Sequence, residues 1–263
     1  MVKVRDRFWL WGHAAGASNR EWNLPKPSRI TPLEAAAYLD IPNLLMVLYG
    51  GEPEMPYDQY YVPLRALDRV AWSTVGARGE QIEGMTEHII DLAKREPNLT
   101  GLVMDDFLNW DTGEPEVSVE ELERLSRQRQ LAGRTLDLMM ILYAHQLDAP
   151  IAEHLRYCNQ VSFWIWESKN LGDLERDFAR FEQLVPDHER FLGVYMWDFG
   201  AKGAPMSDLA LVQRQCELGL EWLHAGRIHG MIFLPSTVCD LELEVVEWVR
   251  GWIREVGDRE LAE

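Results

Sequence analysis

The stretch Val161-Ser-Phe-Trp-Ile-Trp166 holds five apolar residues in six and no charge. A strand with one wet face alternates polar and apolar side chains, whereas a strand covered on both faces reads as a nearly continuous apolar run. Leu44-Leu-Met-Val-Leu-Tyr49 has the same character. Strands of this kind, spaced by helices, form a parallel sheet that the helices cover.

Outward from these two lie six further runs of strand length: Phe8–Trp11, Val70–Val75, Leu102–Met104, Leu136–Tyr143, Phe191–Trp197 and Met231–Leu234. Helical patterns fill the intervals. Thr31, with Pro32 after it and Glu34 three residues on, has the form of a capping box, and Ser118-Val-Glu-Glu121 repeats it at the head of Val119–Leu131. Apolar residues at helical spacing predict further helices over Gln81–Arg95, Ile151–Tyr157, Leu171–Val185, Ser207–Ala225 and Leu241–Val256. Only Gly50 to Arg69, with Pro53, Pro56 and Pro63, lacks a convincing helix. Eight units of about 33 residues predict a single-domain (β/α)8 barrel spanning residues 1–263. The rival, a doubly wound open sheet, is weakened because no GxGxxG or GxxxxGK[ST] follows any strand.

The 263 residues are 47% hydrophobic and 26% charged, an ordinary globular composition. Acidic residues outnumber basic ones 43 to 26, a net charge of −17, which disfavours nucleic acid and anionic lipid as partners. The beginning, MVKVRDRFWLWGH, has no signal-peptide core, and no apolar run reaches membrane-spanning length. The expectation is a cytoplasmic protein, or a secreted or periplasmic one if a leader has been removed. Cys158, Cys216 and Cys239 are too few and too scattered for a disulfide framework, and are expected to be buried thiols. Nothing in the chain signals an oligomeric state.

Barrel chemistry sits at the C-terminal ends of strands and in the loops that follow. Those positions hold Trp11 and His13 after the first run, Tyr49 and Glu52 after the second, Trp72 in the third, and Asp105, Asp106 and Trp110 after the fourth. The fifth supplies Tyr143 and His145, the sixth Trp164, Trp166 and Glu167, and the seventh Tyr195, Trp197 and Asp198, with Lys202 placed to pair with Asp198. Seven of eleven tryptophans fall in or just after strands. Indoles framed by carboxylates suit a sugar, whose C–H faces stack on rings while its hydroxyls bond to carboxylates. The plainer reading of these indoles is barrel core. Adjacent carboxylates such as Asp105 and Asp106 resist double ionisation when desolvated, so one is expected to hold a proton as a general acid requires. Glu167 and Asp198 are candidate bases or nucleophiles opposite, or plain hydroxyl binders. Tyr143 and Tyr195 are candidate donors to a developing charge. His13 and His145 are isolated, so neither a metal nor another cofactor is expected.

The stretch Gly101-Leu-Val-Met-Asp-Asp-Phe107 resembles the fourth-strand end of (β/α)8-barrel glycoside hydrolases that act on N-acetylhexosaminides by substrate assistance, most of all the O-GlcNAc-hydrolase family. The resemblance implies that Asp105 orients the 2-acetamido group and that Asp106 is the general acid/base. The chain lacks the DxxDxDxE of chitinases and the fourth-strand Asn-Glu pair of the large retaining-glycosidase clan. Without the acetamido role, the expected mechanism has Asp106 as acid and Glu167 or Asp198 opposite it. Two alternatives to a metal-independent glycosidase are a non-catalytic carbohydrate-binding barrel and a metal-dependent barrel enzyme acting on a sugar.

Overall fold

The computed structural model describes every residue except 77, 78, 80, 111, 201, 202, 207, 262 and 263. Its strands are β1 (Phe8–Gly12), β2 (Asn43–Met46), β3 (Arg69–Ser73), β4 (Leu99–Met104), β5 (Asp137–Tyr143), β6 (Gln160–Trp164), β7 (Glu189–Tyr195) and β8 (Gly230–Leu234). All neighbours pair in parallel and β8 closes on β1, so the sheet is a complete barrel. The connecting helices are α1 (Pro32–Leu39), α2 (Asp58–Tyr61), α3 (Met85–Arg95), α4 (Val119–Gln128), α5 (Ala152–Leu155), α6 (Leu174–Leu184), α7 (Leu209–His224) and α8 (Glu244–Val256). This is the (β/α)8 barrel that the eight apolar runs predict.

Local chemistry explains where the elements start and stop. The Thr31 and Ser118 capping boxes both form, each side chain accepting from the backbone N–H three residues on while that residue's carboxylate reaches back. α8 buries Val245, Val246, Val249, Trp252, Ile253 and Val256, one stripe at helical spacing against the barrel. The interval from Gly50 to Arg69 contains only the single turn of α2 and a 3-10 segment at Val62–Ala66, as its prolines suggest. α5 is likewise one turn, shorter than the Ile151–Tyr157 pattern indicates.

The ladders are offset from the apolar runs. β2 ends at Met46 and β6 at Trp164, while the last apolar residues of those runs turn into the barrel mouth. At the opposite end five of the eight strands begin on polar residues, at Asn43, Arg69, Asp137, Gln160 and Glu189. Asn43 donates to the Asp6 and Phe8 carbonyls, Arg69 donates to Asn43 at 3.2 Å, and Gln160 donates to Glu189 at 2.8 Å. These pairings close the barrel floor with satisfied polar groups, which a hydrophobicity pattern cannot foresee. Between floor and mouth, side chains alternate in and out. Phe163 packs outward on Phe178 and Phe181 of α6, while Trp164 turns inward against Trp11 at 5.4 Å between ring centroids. Gly193 permits this, because a Cβ there would lie 2.0 Å from the Trp164 indole. No described helix is long and apolar enough to cross a membrane, and the three cysteines are buried free thiols.

Candidate functional site

A cavity of about 620 Å³ opens at the C-terminal mouth of the barrel. Its buried base is made by Trp11 and His13 at the end of β1, Tyr143 of β5, Tyr195 of β7 and Leu234 of β8. The register pairs Tyr195 with Leu234 and Tyr143 with Trp164, near the C-terminal ends of their strands. The more exposed wall comes from loops: Glu21 and Trp22 between β1 and α1, Tyr49 after β2, Asn109, Trp110 and Glu116 between β4 and α4, Trp166 after β6, and Phe199 after β7.

Asp105 and Asp106 follow β4 and both line the cavity. Consecutive strand residues face opposite ways, so a second device is needed to bring both in. It is the backbone of Asp106, whose φ of 44° lies in the left-handed region that Asp tolerates better than most residues. Burial pushes the Asp105 carboxyl well above the usual carboxylate range. The Asp106 charge adds to this, and the Asp106 N–H, which donates to Asp105 Oδ1 at 2.9 Å, partly opposes it. The Tyr143 hydroxyl donates to Asp106 Oδ1 at 3.4 Å. Burial also holds the Tyr143 and Tyr195 phenols, which are hydrogen-bonded to each other, well above their ordinary range, so both remain donors.

His13 is 8% exposed, and burial lowers its pKa to about 4. Its Nε2 accepts from the Trp11 indole at 3.2 Å, which places the proton of the neutral ring on Nδ1. Nδ1 is buried and has no partner among the described residues. Its backbone N–H is held by Ser236 Oγ at 3.0 Å.

The wall is a chain of rings. Trp110 lies 4.9 Å from Trp166, Trp166 lies 6.5 Å from Trp22, and Trp22 packs edge-on to Phe199 at 4.8 Å. Trp22 Nε1 donates to the Tyr49 hydroxyl at 2.8 Å, and that hydroxyl donates to Glu21. Asn109 Nδ2 donates to Glu116 at 2.5 Å. Among the described residues no Lys or Arg lines the cavity, and no three His, Cys, Asp or Glu side chains converge as a metal site would need.

Of the residues singled out from the sequence, Trp11, His13, Tyr49, Asp105, Asp106, Trp110, Tyr143, Trp166 and Tyr195 meet here. Others do not. Trp72 points outward, fully buried between Tyr57 at 4.9 Å and Tyr61 at 5.9 Å, because its place in β3 falls on the helix-facing phase. Trp164 is buried against Trp11 and does not line the cavity, its indole donating to Ser162 Oγ at 2.8 Å. Trp197 is buried and donates to the Trp22 carbonyl at 3.0 Å, tethering the β1–α1 loop. His145 lies behind the wall, 4.5 Å from Trp110. Glu52 is exposed in the turn that pairs it with Tyr49. Glu167 turns away onto Lys169 at 2.9 Å, whose hydrogen bond holds it below the usual carboxylate range. Asp198 is buried, accepting from the Ser168 hydroxyl and exchanging backbone hydrogen bonds with Ala204. Neither Glu167 nor Asp198 lines the cavity, so neither stands opposite Asp106. Lys202 lies outside the described residues.

Sequence reasoning missed Ser18, Glu21, Trp22, Glu116 and Phe199. One signal was available for the first three: the interval from His13 to Thr31 is long for a strand–helix connection and contains a tryptophan.

No protein-family model matches the chain, and no curated protein matches it in sequence. Solved structures do match. Concanavalin B is 13% identical with a TM-score of 0.58, covering 96% of this chain and 99% of its own. Active domain 2 of a chitinase from Pyrococcus furiosus is 11% identical with a TM-score of 0.57, covering 98% and 99%. A xylanase-A-amylase inhibitor protein is 12% identical with a TM-score of 0.56, covering 94% and 98%. At these identities the likeness is one of fold.

Proposed function

We propose that this barrel is a glycoside hydrolase whose acid–base unit is the Asp105–Asp106 pair. The observation that carries the reading is a pair of adjacent half-buried carboxyls, Asp105 and Asp106, on one ring-lined cavity, where desolvation and the neighbouring charge both raise Asp105 above its usual range. Two such groups share one proton, which is the equipment for protonating a leaving oxygen and later deprotonating water. The indoles supply flat apolar surface for a sugar, and Tyr143 steadies Asp106.

The finer reading takes N-acetylhexosaminides as substrates. In the free protein the half-buried Asp105 keeps the proton. An acetamido N–H donating to Asp105 favours its carboxylate, and the proton passes to Asp106. Asp106 then protonates the glycosidic oxygen as the C–O bond breaks, while the acetamido carbonyl oxygen bonds to the anomeric carbon. Water, deprotonated by Asp106, reopens the ring. No carboxylate opposite is required, which agrees with Glu167 and Asp198 lying outside the cavity. The chitinase named above is a barrel of the same fold that bears a glycosidase name, and the inhibitor is one that does not.

The test is release of aryl alcohol from a glycoside panel that includes N-acetylglucosaminides and N-acetylgalactosaminides, with and without EDTA. EDTA-insensitive release that falls about 10²–10⁴-fold in Asp106→Asn and is unchanged in Glu167→Gln is expected. Binding of the same sugars without turnover would establish the carbohydrate-binding alternative, and loss of activity in EDTA the metal-dependent one.

A further inference from the structure

The rim of the cavity carries charge that the acid–base pair does not use. Glu21 and Glu116 are exposed carboxylates on opposite loops, β1–α1 and β4–α4, and their wall partners are the neutral Tyr49 hydroxyl and Asn109 amide. Glu21 adjoins Trp22, and Trp110, which is 48% exposed, adjoins Asn109. Indole faces are the best aromatic partners for a cation, and a carboxylate beside them adds a Coulombic term. The buried His13 does not offset this charge, since its ring is neutral.

Resting on the glycosidase reading, we propose that the glycan is cationic: an oligosaccharide containing unacetylated 2-amino-2-deoxyhexose units, whose ammonium groups dock against Glu21 and Trp22 on one side of the cavity and against Glu116 and Trp110 on the other, beside the unit that is cleaved. A divalent ion is a poorer occupant, because no three metal-ligating side chains converge among the described residues. The net charge of −17 also draws a polycation toward the molecule over long range.

The experiment is a titration of tryptophan fluorescence with two chitooligosaccharides of equal length, one fully N-acetylated and one partly de-N-acetylated. Both are run below the pKa of the amine against wild type and the Glu21→Gln, Glu116→Gln double variant. The cationic glycan is expected to bind about tenfold tighter than the neutral one at low salt, with the advantage shrinking at roughly 0.5 M NaCl. The double variant is expected to lose that advantage, so that it binds the two glycans equally. Equal affinity for the two glycans, or an advantage that survives in the double variant as diffuse attraction to an acidic protein would, overturns the inference while leaving the glycosidase reading standing. Binding of neither glycan overturns both.

Discussion

Burial penalises the ionised form of Asp105, and the Asp106 carboxylate deepens the penalty. The folded protein therefore holds this proton more tightly than the unfolded chain. As pH rises from about 4, where an ordinary aspartate ionises, the unfolded state releases the proton first and stability falls until the folded-state pKa is passed. Asp105→Asn removes the titration while keeping an acceptor for the Asp106 N–H. The expected outcome is a higher Tm than wild type near pH 8, a gap that closes toward about pH 4 by scanning calorimetry, and lost turnover. A lower Tm at alkaline pH would mean that Asp105 is ionised and stabilised in the fold.

At the scale of elements, Thr31 shows how a local signal sets a boundary. Its hydroxyl accepts from the Glu34 N–H at 3.3 Å, and the Glu34 carboxylate accepts the Thr31 N–H at 2.9 Å. Thr31→Ala is expected to lower stability by about 1 kcal/mol in urea denaturation. Gly193 shows the opposite dependence, on a neighbour distant in sequence. The Trp164 indole occupies the space of its missing Cβ, and Trp164 in turn supports Trp11 and Tyr195 beneath the cavity at 5.4 and 5.1 Å. Gly193→Ala is expected to destabilise by about 1–3 kcal/mol and to weaken glycan binding together with it. Unchanged affinity in the folded variant would show that the layer of rings repacks without moving the cavity.

Across the whole molecule the excess of negative charge is large, and the described cavity wall contributes to it through Glu21 and Glu116. Self-repulsion of this kind opposes the compact state and is screened by salt. Raising NaCl from about 0.01 to about 0.15 M is expected to raise Tm by about 2–4 °C, and the double Gln variant at the rim should show a smaller rise. A Tm that falls over this interval would show that favourable ion pairs, such as Arg227–Glu182 and Arg65–Glu96, outweigh the repulsion.

The barrel is legible from the chain alone, because eight doubly covered strands announce themselves as apolar runs and because capping boxes are local chemistry. So is the place of the Asp105–Asp106 pair, at the end of the fourth strand. Tertiary structure alone decided the membership of the cavity. When both faces of a strand are apolar, alternation has a period but no visible phase, so the outward Trp72 and the inward Trp164 read alike from the sequence. Glu167 and Asp198 close apolar runs in the sequence as Asp105 does, yet they lie three residues past the ends of β6 and β7, where ion pairing to Lys169 and the closure of the β7–α7 loop turn them elsewhere. Glu21, Trp22 and Glu116 reach the site through loops whose course depends on contacts far away in sequence, such as the Trp197 bond to the Trp22 carbonyl. Period is written in neighbours along the chain; phase and loop course are fixed only when the barrel closes.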